Sequence, residues 1–230
     1  MTQFQYLPLS KAYKASGIVV VVDVLRAFTT AAYAFSLGAE KIFPVDSVED
    51  AFKIKERFPG SLLLGEVDGY KPVGFDYSNS PYELINQGLD SKALVQRTSA
   101  GTQGIIRTKS CETVIAASFV VAKATAFYLE TKNPTNVSFI ITGNSQGRDG
   151  DEDQACAAYI QALIERQHPD PKEFTKRVST SSVGMSFLAG DLAYLSQEDI
   201  VLSTQTDIFN FAMVLSVQED PFFLFPRLIR

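Results

Sequence analysis

The apolar run at residues 18–25 constrains the fold of this chain more than any other feature of its sequence. The run reads Ile-Val-Val-Val-Val-Asp-Val-Leu and contains one charged residue, Asp23. Continuous, β-branched runs of this kind are typical of strands that are buried on both faces of a parallel sheet. The run is far shorter than a bilayer-spanning helix requires. We therefore expect a buried central strand and no association with a membrane.

Strand-like and helix-like segments alternate along the chain up to residue 166. The sequence predicts further strands at 41–45, 61–64, 93–96, 113–117 and 137–142, and helices at 27–37, 46–57, 81–87, near 103, at 120–131 and at 152–166. This alternation predicts βαβ units and a mostly parallel sheet that is covered by helices on both faces. We expect one α/β domain over residues 1–230, in which the stretch from about 168 is the candidate start of a smaller C-terminal portion.

Composition and charge restrict the class of partner. The 230 residues carry a formal net charge of -5, and 46% of them are hydrophobic. Binding to nucleic acid without sequence preference requires a basic surface, so we expect no nucleic-acid partner. The two cysteines, Cys111 and Cys156, form no CxxC spacing, and the first residues lack the pattern of a secretory signal. These features favour a cytoplasmic protein. The apolar run at 222–225 is either core or the interface of a homo-oligomer.

Polar residues follow four of the predicted strands at the point where each strand ends. They are Asp23 with Arg26, Gly65 with Glu66, residues 98–102, and residues 143–147 followed by Glu152 and Asp153. Ligands of open α/β sheets bind outside the carboxyl ends of the strands. If the sheet is parallel as predicted, the four groups converge at one edge and form the candidate site.

The two turns at 98–102 and 143–147 are rich in Gly, Ser and Thr, and each joins a strand to a helix. Such turns present free main-chain N–H groups, and the helix that follows adds partial positive charge. A phosphate or a sulfonate is therefore a natural ligand. The alternative is that both are ordinary capped turns. Neither turn matches the GxxxxGK[ST] or GxGxxG phosphate-binding patterns.

Four carboxylates near these strand ends suit a hard cation such as Mg²⁺, which chooses oxygen ligands and often keeps substrate phosphate among them. They are Asp23, Glu66, Glu152 and Asp153. Glu152 and Asp153 could instead only favour the start of a helix. Asp23 could form a purely structural pair with Arg26, because a carboxylate at the end of an apolar strand needs a partner.

Several cations could hold an anionic substrate: Arg26, Arg97, Arg107 and Lys71. Nucleophilic alternatives are weak. Cys156 falls in a predicted helix, where a lone cysteine is more often a buried apolar group, and the single histidine is His168. A serine triad has no GxSxG support.

The order of these segments resembles the 2-phosphosulfolactate phosphatase family, also called ComB-like proteins. The resemblance rests on residues 21–30 (VVDVLRAFTT), Gly65-Glu66, residues 74–81 (GFDYSNSP), residues 97–102 (RTSAGT), Gly143 with Gly147, Glu152-Asp153 and Cys156-Ala157. It extends from about residue 18 to about residue 165, and more loosely over 207–213.

The resemblance implies a three-layer α/β/α fold and a Mg²⁺-dependent phosphatase that hydrolyses 2-phosphosulfolactate to sulfolactate, a step of coenzyme M biosynthesis. A small phosphorylated acid would be its partner. With the strand-end residues, it suggests three sets of site residues. The catalytic set is Asp23, Arg26, Glu66 and Glu152; the phosphate-binding set is Asn79, Ser80, Thr98, Ser99, Gly101, Thr102, Asn144 and Gly147; and the metal-binding set is Asp23, Glu66 and Asp153.

Three positions depart from the family pattern. Phe28 stands within the first motif, Ser78 replaces a common Gly, and Ala100 replaces an Asn. The last change removes an amide from the 98–102 turn, so substrate preference could differ.

Features of the sequence argue against three other functions. A non-catalytic module could bind a phosphorylated metabolite with the same turns, although anion binding alone gains nothing from nearby carboxylates. A nicotinamide-binding enzyme lacks its glycine fingerprint here. The aspartyl-phosphate route of haloacid dehalogenases needs a second Asp two residues after the first, and Leu25 occupies that position.

Overall fold

The computed structural model describes residues 2–145, 147–190 and 194–229. Its strands are β1 (Gln3–Pro8), β2 (Ile18–Val22), β3 (Lys41–Val45), β4 (Leu62–Gly65), β5 (Ala93–Arg97), β6 (Thr113–Ala117), β7 (Asn136–Ile141), β8 (Phe211–Ser216) and β9 (Phe223–Leu228). Its helices are α1 (Ala27–Ser36), α2 (Val48–Arg57), α3 (Pro81–Leu84), α4 (Gly101–Thr108), α5 (Ala122–Lys132), α6 (Asp151–Ile164), α7 (Pro171–Thr180), α8 (Ser182–Ala189) and α9 (Gln197–Ser203). Short 3₁₀ helices cover Leu9–Lys14 and Phe119–Val121.

Within the described residues, nine strands form one sheet in the order β1-β7-β2-β6-β8-β9-β3-β5-β4. The block β1-β7-β2-β6 is parallel, and so is the block β3-β5-β4. The antiparallel hairpin β8–β9 lies between them and pairs antiparallel with both. The predicted mostly parallel sheet is confirmed, but it is built as two blocks.

Because the two hairpin strands and their pairings with both blocks are antiparallel, the strands β3, β5 and β4 are formally antiparallel to those of the first block. Sheets twist by about 20–25° per strand pair. Five pairings separate β2 from β5, and twist accumulates over all of them. The polar ends of the two blocks meet. A Cβ atom on Gly101, just after β5, would lie 2.8 Å from Oδ2 of Asp23, just after β2.

The central strand β2 shows why the fold has three layers. Its valines are fully buried, and they alternate between the two faces of the sheet. Val19 and Val21 pack in one core with α1, α3 and α4, whereas Val20 and Val22 pack in another with α5 and α6. Helix α2 covers the β3-β5-β4 block on the second face. The three-layer α/β/α fold is thereby confirmed.

The structure differs from the sequence prediction at the ends of several elements. Strand β2 stops at Val22, because the chain turns at Asp23 into α1. Strand β1 and the hairpin β8–β9 were not predicted. In the C-terminal third of the chain, helix α7 packs on α6, and the ring centroid of Phe174 lies 5.4 Å from that of Tyr159. In the described parts of the chain, the helices are all too short or too polar to cross a bilayer.

Candidate active site

A cavity of about 440 Å³ opens where β2, β4 and β5 end. Six of the residues proposed from the sequence line it: Asp23, Arg26, Glu66, Asn79, Thr98 and Ser99. The far wall comes from α8 and the residues just before α9, which the sequence did not connect with the site. The strand-end residues of both sheet blocks therefore do converge.

Asp23 lies at the bottom of this cavity and is 6% exposed. Its Oδ1 accepts the main-chain N–H of Ala27 at 2.9 Å, which fixes the start of α1, and its Oδ2 accepts the hydroxyl of Thr142 at 3.1 Å. Burial raises the pKa of Asp23 to about 6, and the negative charges of Glu66 and Glu152 add to the rise. A carboxylate held at this cost is a strong candidate for a functional group.

Asp153 lies behind Asp23 and does not line the cavity. Its Oδ1 accepts the N–H of Val24 at 2.8 Å, and its Oδ2 accepts the N–H of Gly143 at 2.7 Å. The hydroxyl of Thr142 lies 3.2 Å from the same Oδ2. Burial, together with the charges of Glu152 and Asp23, raises the pKa of Asp153 well above its usual range. The structure thus places this residue where it ties the ends of β2 and β7 to α6.

Glu152 is also buried and stands beside Asp153. A Cβ atom on Gly143 would lie 2.6 Å from Oε1 of Glu152 and 3.1 Å from Oδ2 of Asp153, so a larger residue there would have to displace these carboxylates. The Oε2 atom of Glu152 has no hydrogen-bond partner among the described residues. Burial raises the pKa of Glu152. Asp23, Glu152 and Asp153 thus form a cluster of carboxylates that are costly to ionise together.

Glu66 faces the cavity from the end of β4 and is held by the loops around it. Its Oε1 accepts the N–H of Ser99 at 2.6 Å, and its Oε2 accepts the N–H of Gly69 at 2.7 Å and the hydroxyl of Ser99 at 3.0 Å. The guanidinium of Arg97 donates to the carbonyl oxygen of Glu66 at 2.8 Å. These bonds join the 66–69 loop to the 98–102 turn.

The hydroxyls of the 98–102 turn stabilise the turn itself. Thr102 donates to the carbonyl oxygen of Thr98 at 2.9 Å, and the hydroxyl of Thr98 accepts the N–H of Thr102 at 3.0 Å. Thr102 and Gly101 are buried and do not line the cavity, whereas Thr98, Ser99 and Ala100 do. The first three residues of this turn, rather than the Thr102 hydroxyl, therefore border the cavity.

Arg26 lines the cavity but does not pair with Asp23. Its Nη1 lies 2.7 Å from Oδ2 of Asp199, a fully buried residue of α9 that the sequence reasoning missed. The other oxygen of Asp199 accepts the hydroxyl of Ser80 at 2.7 Å. Ser80 is therefore buried behind the lining residue Asn79, whose Oδ1 has no partner among the described residues. Asp199 carried no local signal, because it looks like an ordinary residue in the first turn of a helix.

Asn144 and Gly147 line a separate depression of about 490 Å³ beside the cavity. Ser99 and Arg148 border both spaces. Arg148 was also missed, although it follows the polar turn that the sequence analysis singled out. Gln146 of that turn lies outside the described residues.

The cysteine alternative is disfavoured by geometry. Cys156 is fully buried in the middle of α6, and burial raises the pKa of its thiol well above the usual range. His168 is exposed beyond the end of the same helix. A thiol in this setting is an apolar core group.

The donor groups at the cavity suit a hard cation, because they are carboxylate oxygens. Among the described residues, no cluster of three or more His, Cys, Asp or Glu side chains has the geometry of a metal site. The carboxylates that line the cavity are those of Asp23, Glu66 and Asp68. Mg²⁺ is commonly bound by one or two carboxylates plus substrate phosphate and water, so these residues fit it.

Known proteins similar to this chain share one description. A sequence model of the family described as 2-phosphosulpholactate phosphatase matches residues 6–218. A Bacillus subtilis (strain 168) protein named probable 2-phosphosulfolactate phosphatase is 33% identical over 208 residues, 89% of each chain. Proteins of the same name from Carboxydothermus hydrogenoformans and a Synechocystis species are 44% and 29% identical, over 65% and 83% of this chain and 61% and 73% of theirs.

Proposed function

This chain belongs to the 2-phosphosulfolactate phosphatase family and is a phosphoric monoester hydrolase, and on this premise we propose that it hydrolyses 2-phosphosulfolactate to sulfolactate and phosphate with the help of Mg²⁺. The observation that carries the proposal is the presence of opposite charges in the lining of one cavity. Asp23, Glu66 and Arg26 all line it. A site with only the acids would repel a phosphate ester, and a site with only the arginine would need no acids.

The acidic side supports a role for a metal ion. Asp23 and Glu66 would hold Mg²⁺, with the remaining positions left to water and a phosphate oxygen. When bound, the ion would offset the negative charge that accumulates on the transferring phosphoryl group. Asp153, which the sequence suggested as a third ligand, does not line the cavity, and its oxygens accept the N–H groups of Val24 and Gly143. We propose instead that it fixes the loop that carries Asp23.

The remaining residues of the cavity would bind and orient the substrate. Arg26 offers a planar, permanently charged donor to the phosphate or to the second acid group of the substrate. Asn79 lines the same cavity with a nearly buried side chain, and its Oδ1 has no hydrogen-bond partner among the described residues. The main-chain turn at 98–100 completes the rim. An acid of three carbon atoms that carries a phosphate, a carboxylate and a sulfonate fits a cavity of this volume.

Phosphate release from a panel of small phosphorylated acids tests the reaction and the metal together. The panel contains 2-phosphosulfolactate, 2-phospholactate and both phosphoglycerates, each with Mg²⁺ and with EDTA. We expect turnover that needs Mg²⁺, is lost in EDTA and is greatest with 2-phosphosulfolactate. Turnover that persists in EDTA would contradict the metal. Release from 2-phospholactate or the phosphoglycerates, but not from 2-phosphosulfolactate, would contradict the proposed substrate and leave the reaction class intact.

A further inference from the structure

The carboxylate of Asp199 is held from both sides although it is fully buried. Its Oδ2 accepts Nη1–H of Arg26 at 2.7 Å. Its Oδ1 accepts the hydroxyl of Ser80 at 2.7 Å and the N–H of Tyr82 at 3.1 Å. A buried carboxylate with partners on both oxygens has no freedom to turn, so the group bonded to it is fixed as well.

The guanidinium of Arg26 is fixed at one corner and on one face. Nη1 donates to Asp199 and also to the carbonyl oxygen of Tyr194 at 3.2 Å. The ring of Phe187 lies against the guanidinium, with its centroid 5.0 Å from Cζ. Both hydrogen bonds to described residues come from the same nitrogen, so the Nε–H and Nη2–H groups have no acceptor among the described residues.

This anchoring matters because other carboxylates compete for Arg26. Asp23, Glu66 and Asp68 line the same cavity. A mobile guanidinium would be attracted to these carboxylates. The resulting ion pair would neutralise the acids that are proposed to bind the metal ion and would occupy the arginine that is proposed to bind the substrate anion. Among the ion pairs of the described residues, Arg26 pairs instead with Asp199, which does not line the cavity.

We propose that Asp199 is a positioning residue, which acts by holding Arg26 in the orientation that binds the phosphorylated substrate. The inference rests on the proposed function for the identity of that substrate. It assigns a functional role to α9 and to the C-terminal third of the chain. Asp199 itself touches no reacting atom. Its whole effect on turnover passes through Arg26.

A double-mutant cycle separates this role from a structural one. The four proteins are the wild type, Asp199→Asn, Arg26→Ala and the double variant, and kcat and KM are measured for phosphate release. We expect Asp199→Asn to lower kcat/KM about 10- to 100-fold in the wild-type background, since a small misplacement of a binding group costs this much. In the Arg26→Ala background the same change should alter kcat/KM by less than about 2-fold. An equal loss in both backgrounds, or no loss in the first, would overturn the proposal.

Asp207→Asn is the matched control. Asp207 also anchors distant elements, since it accepts the hydroxyl of Tyr159 at 2.6 Å and the N–H of Lys123 at 2.7 Å, but it does not line the cavity. Its effect on kcat/KM should stay below about 2-fold in both backgrounds, because it does not contact Arg26. If Asp199→Asn does not fold, Ser80→Ala takes its place in the cycle, because it removes one bond to Asp199 and keeps the ion pair.

Binding of inorganic phosphate keeps this proposal distinct from the proposed function. If the wild type hydrolyses nothing in the panel, the proposed function fails, and the same cycle is then measured by calorimetry with inorganic phosphate. Asp199→Asn should weaken phosphate binding about 10-fold in the wild-type background and leave it unchanged without Arg26. Equal phosphate affinities in the wild type and Asp199→Asn would overturn the positioning role.

Discussion

Oδ1 of Asp153 accepts a hydrogen bond from the main-chain N–H of Val24 at 2.8 Å. Helix α6 thereby fixes the chain one residue beyond Asp23, and the other oxygen of Asp153 fixes Gly143 at the end of β7. Two of the strand ends that meet at the cavity are joined by one carboxylate. Asp153 and Asp23 are thus neighbours with different roles. Asp153 stabilises the loops, and Asp23 lines the cavity.

Replacing Asp153 with Asn should destabilise the fold. An amide has one acceptor oxygen, so its NH₂ group would face the N–H of either Val24 or Gly143 and leave that donor unsatisfied. We expect a loss of about 1–3 kcal/mol in the free energy of unfolding, measured as a lower urea midpoint. Asp220→Asn, at a carboxylate that is 92% exposed, is the control and should shift the midpoint little. Equal midpoints for the wild type and both variants would refute the tying role of Asp153.

Replacing Asp23 with Asn should abolish turnover and stabilise the fold. The pKa of Asp23, raised by burial to about 6, means that its ionised form is disfavoured in the folded state. Asn keeps an acceptor for Ala27 and removes the buried charge. At pH 8 in EDTA we expect the free energy of unfolding to rise by on the order of 1–3 kcal/mol. Phosphate release and urea unfolding measure the two effects, and a stable variant with full activity would remove Asp23 from the catalytic set.

The contribution of Asp23 to the stability of the metal-free wild type should fall as the pH rises from about 4 to about 6. The pKa of Asp23 moves from its usual 3.8 to about 6 in the fold, so this group binds more protons in the folded state than in the unfolded state in this window. Its contribution to the free energy of unfolding therefore decreases with pH there, and the penalty is complete above the folded pKa. Unfolding of the wild type and Asp23→Asn is compared at several pH values in EDTA. Their difference should grow across the window, and parallel curves would contradict the shift.

The sequence predicted the parts of the site that depend on local pattern. A buried apolar strand that ends in Asp identifies Asp23, and a glycine-rich turn between a strand and a helix identifies residues 98–102. These signals need no knowledge of distant partners. Glu66 was found in the same way, since it follows the short strand β4.

The parts that were missed depend on contacts between residues far apart in the sequence. Asp199 acquires its importance from Arg26, which is 173 residues away along the chain. The strand order, with β8–β9 between two parallel blocks, is decided by packing of the last strands into the middle of the sheet. Arg148 gains significance only because the loop after β7 borders the cavity. Local periodicity carries no information about such pairings.

Replacing Gly101 with Ala should destabilise the fold and lower activity, the reverse of the usual effect in a helix. Ala normally stabilises a helical position relative to Gly by about 1 kcal/mol. Here the added Cβ would lie 2.6 Å from Cβ of Ala27 and 2.8 Å from Oδ2 of Asp23, so α4 must shift or Asp23 must move. We expect a loss of about 1–3 kcal/mol in the free energy of unfolding, with a fall in kcat because Asp23 is displaced. Gly88→Ala, where a Cβ would meet nothing within 4 Å, is the control and should be neutral. If Gly101→Ala were as stable and active as Gly88→Ala, the close approach of α4 to Asp23 would not be a requirement of the site.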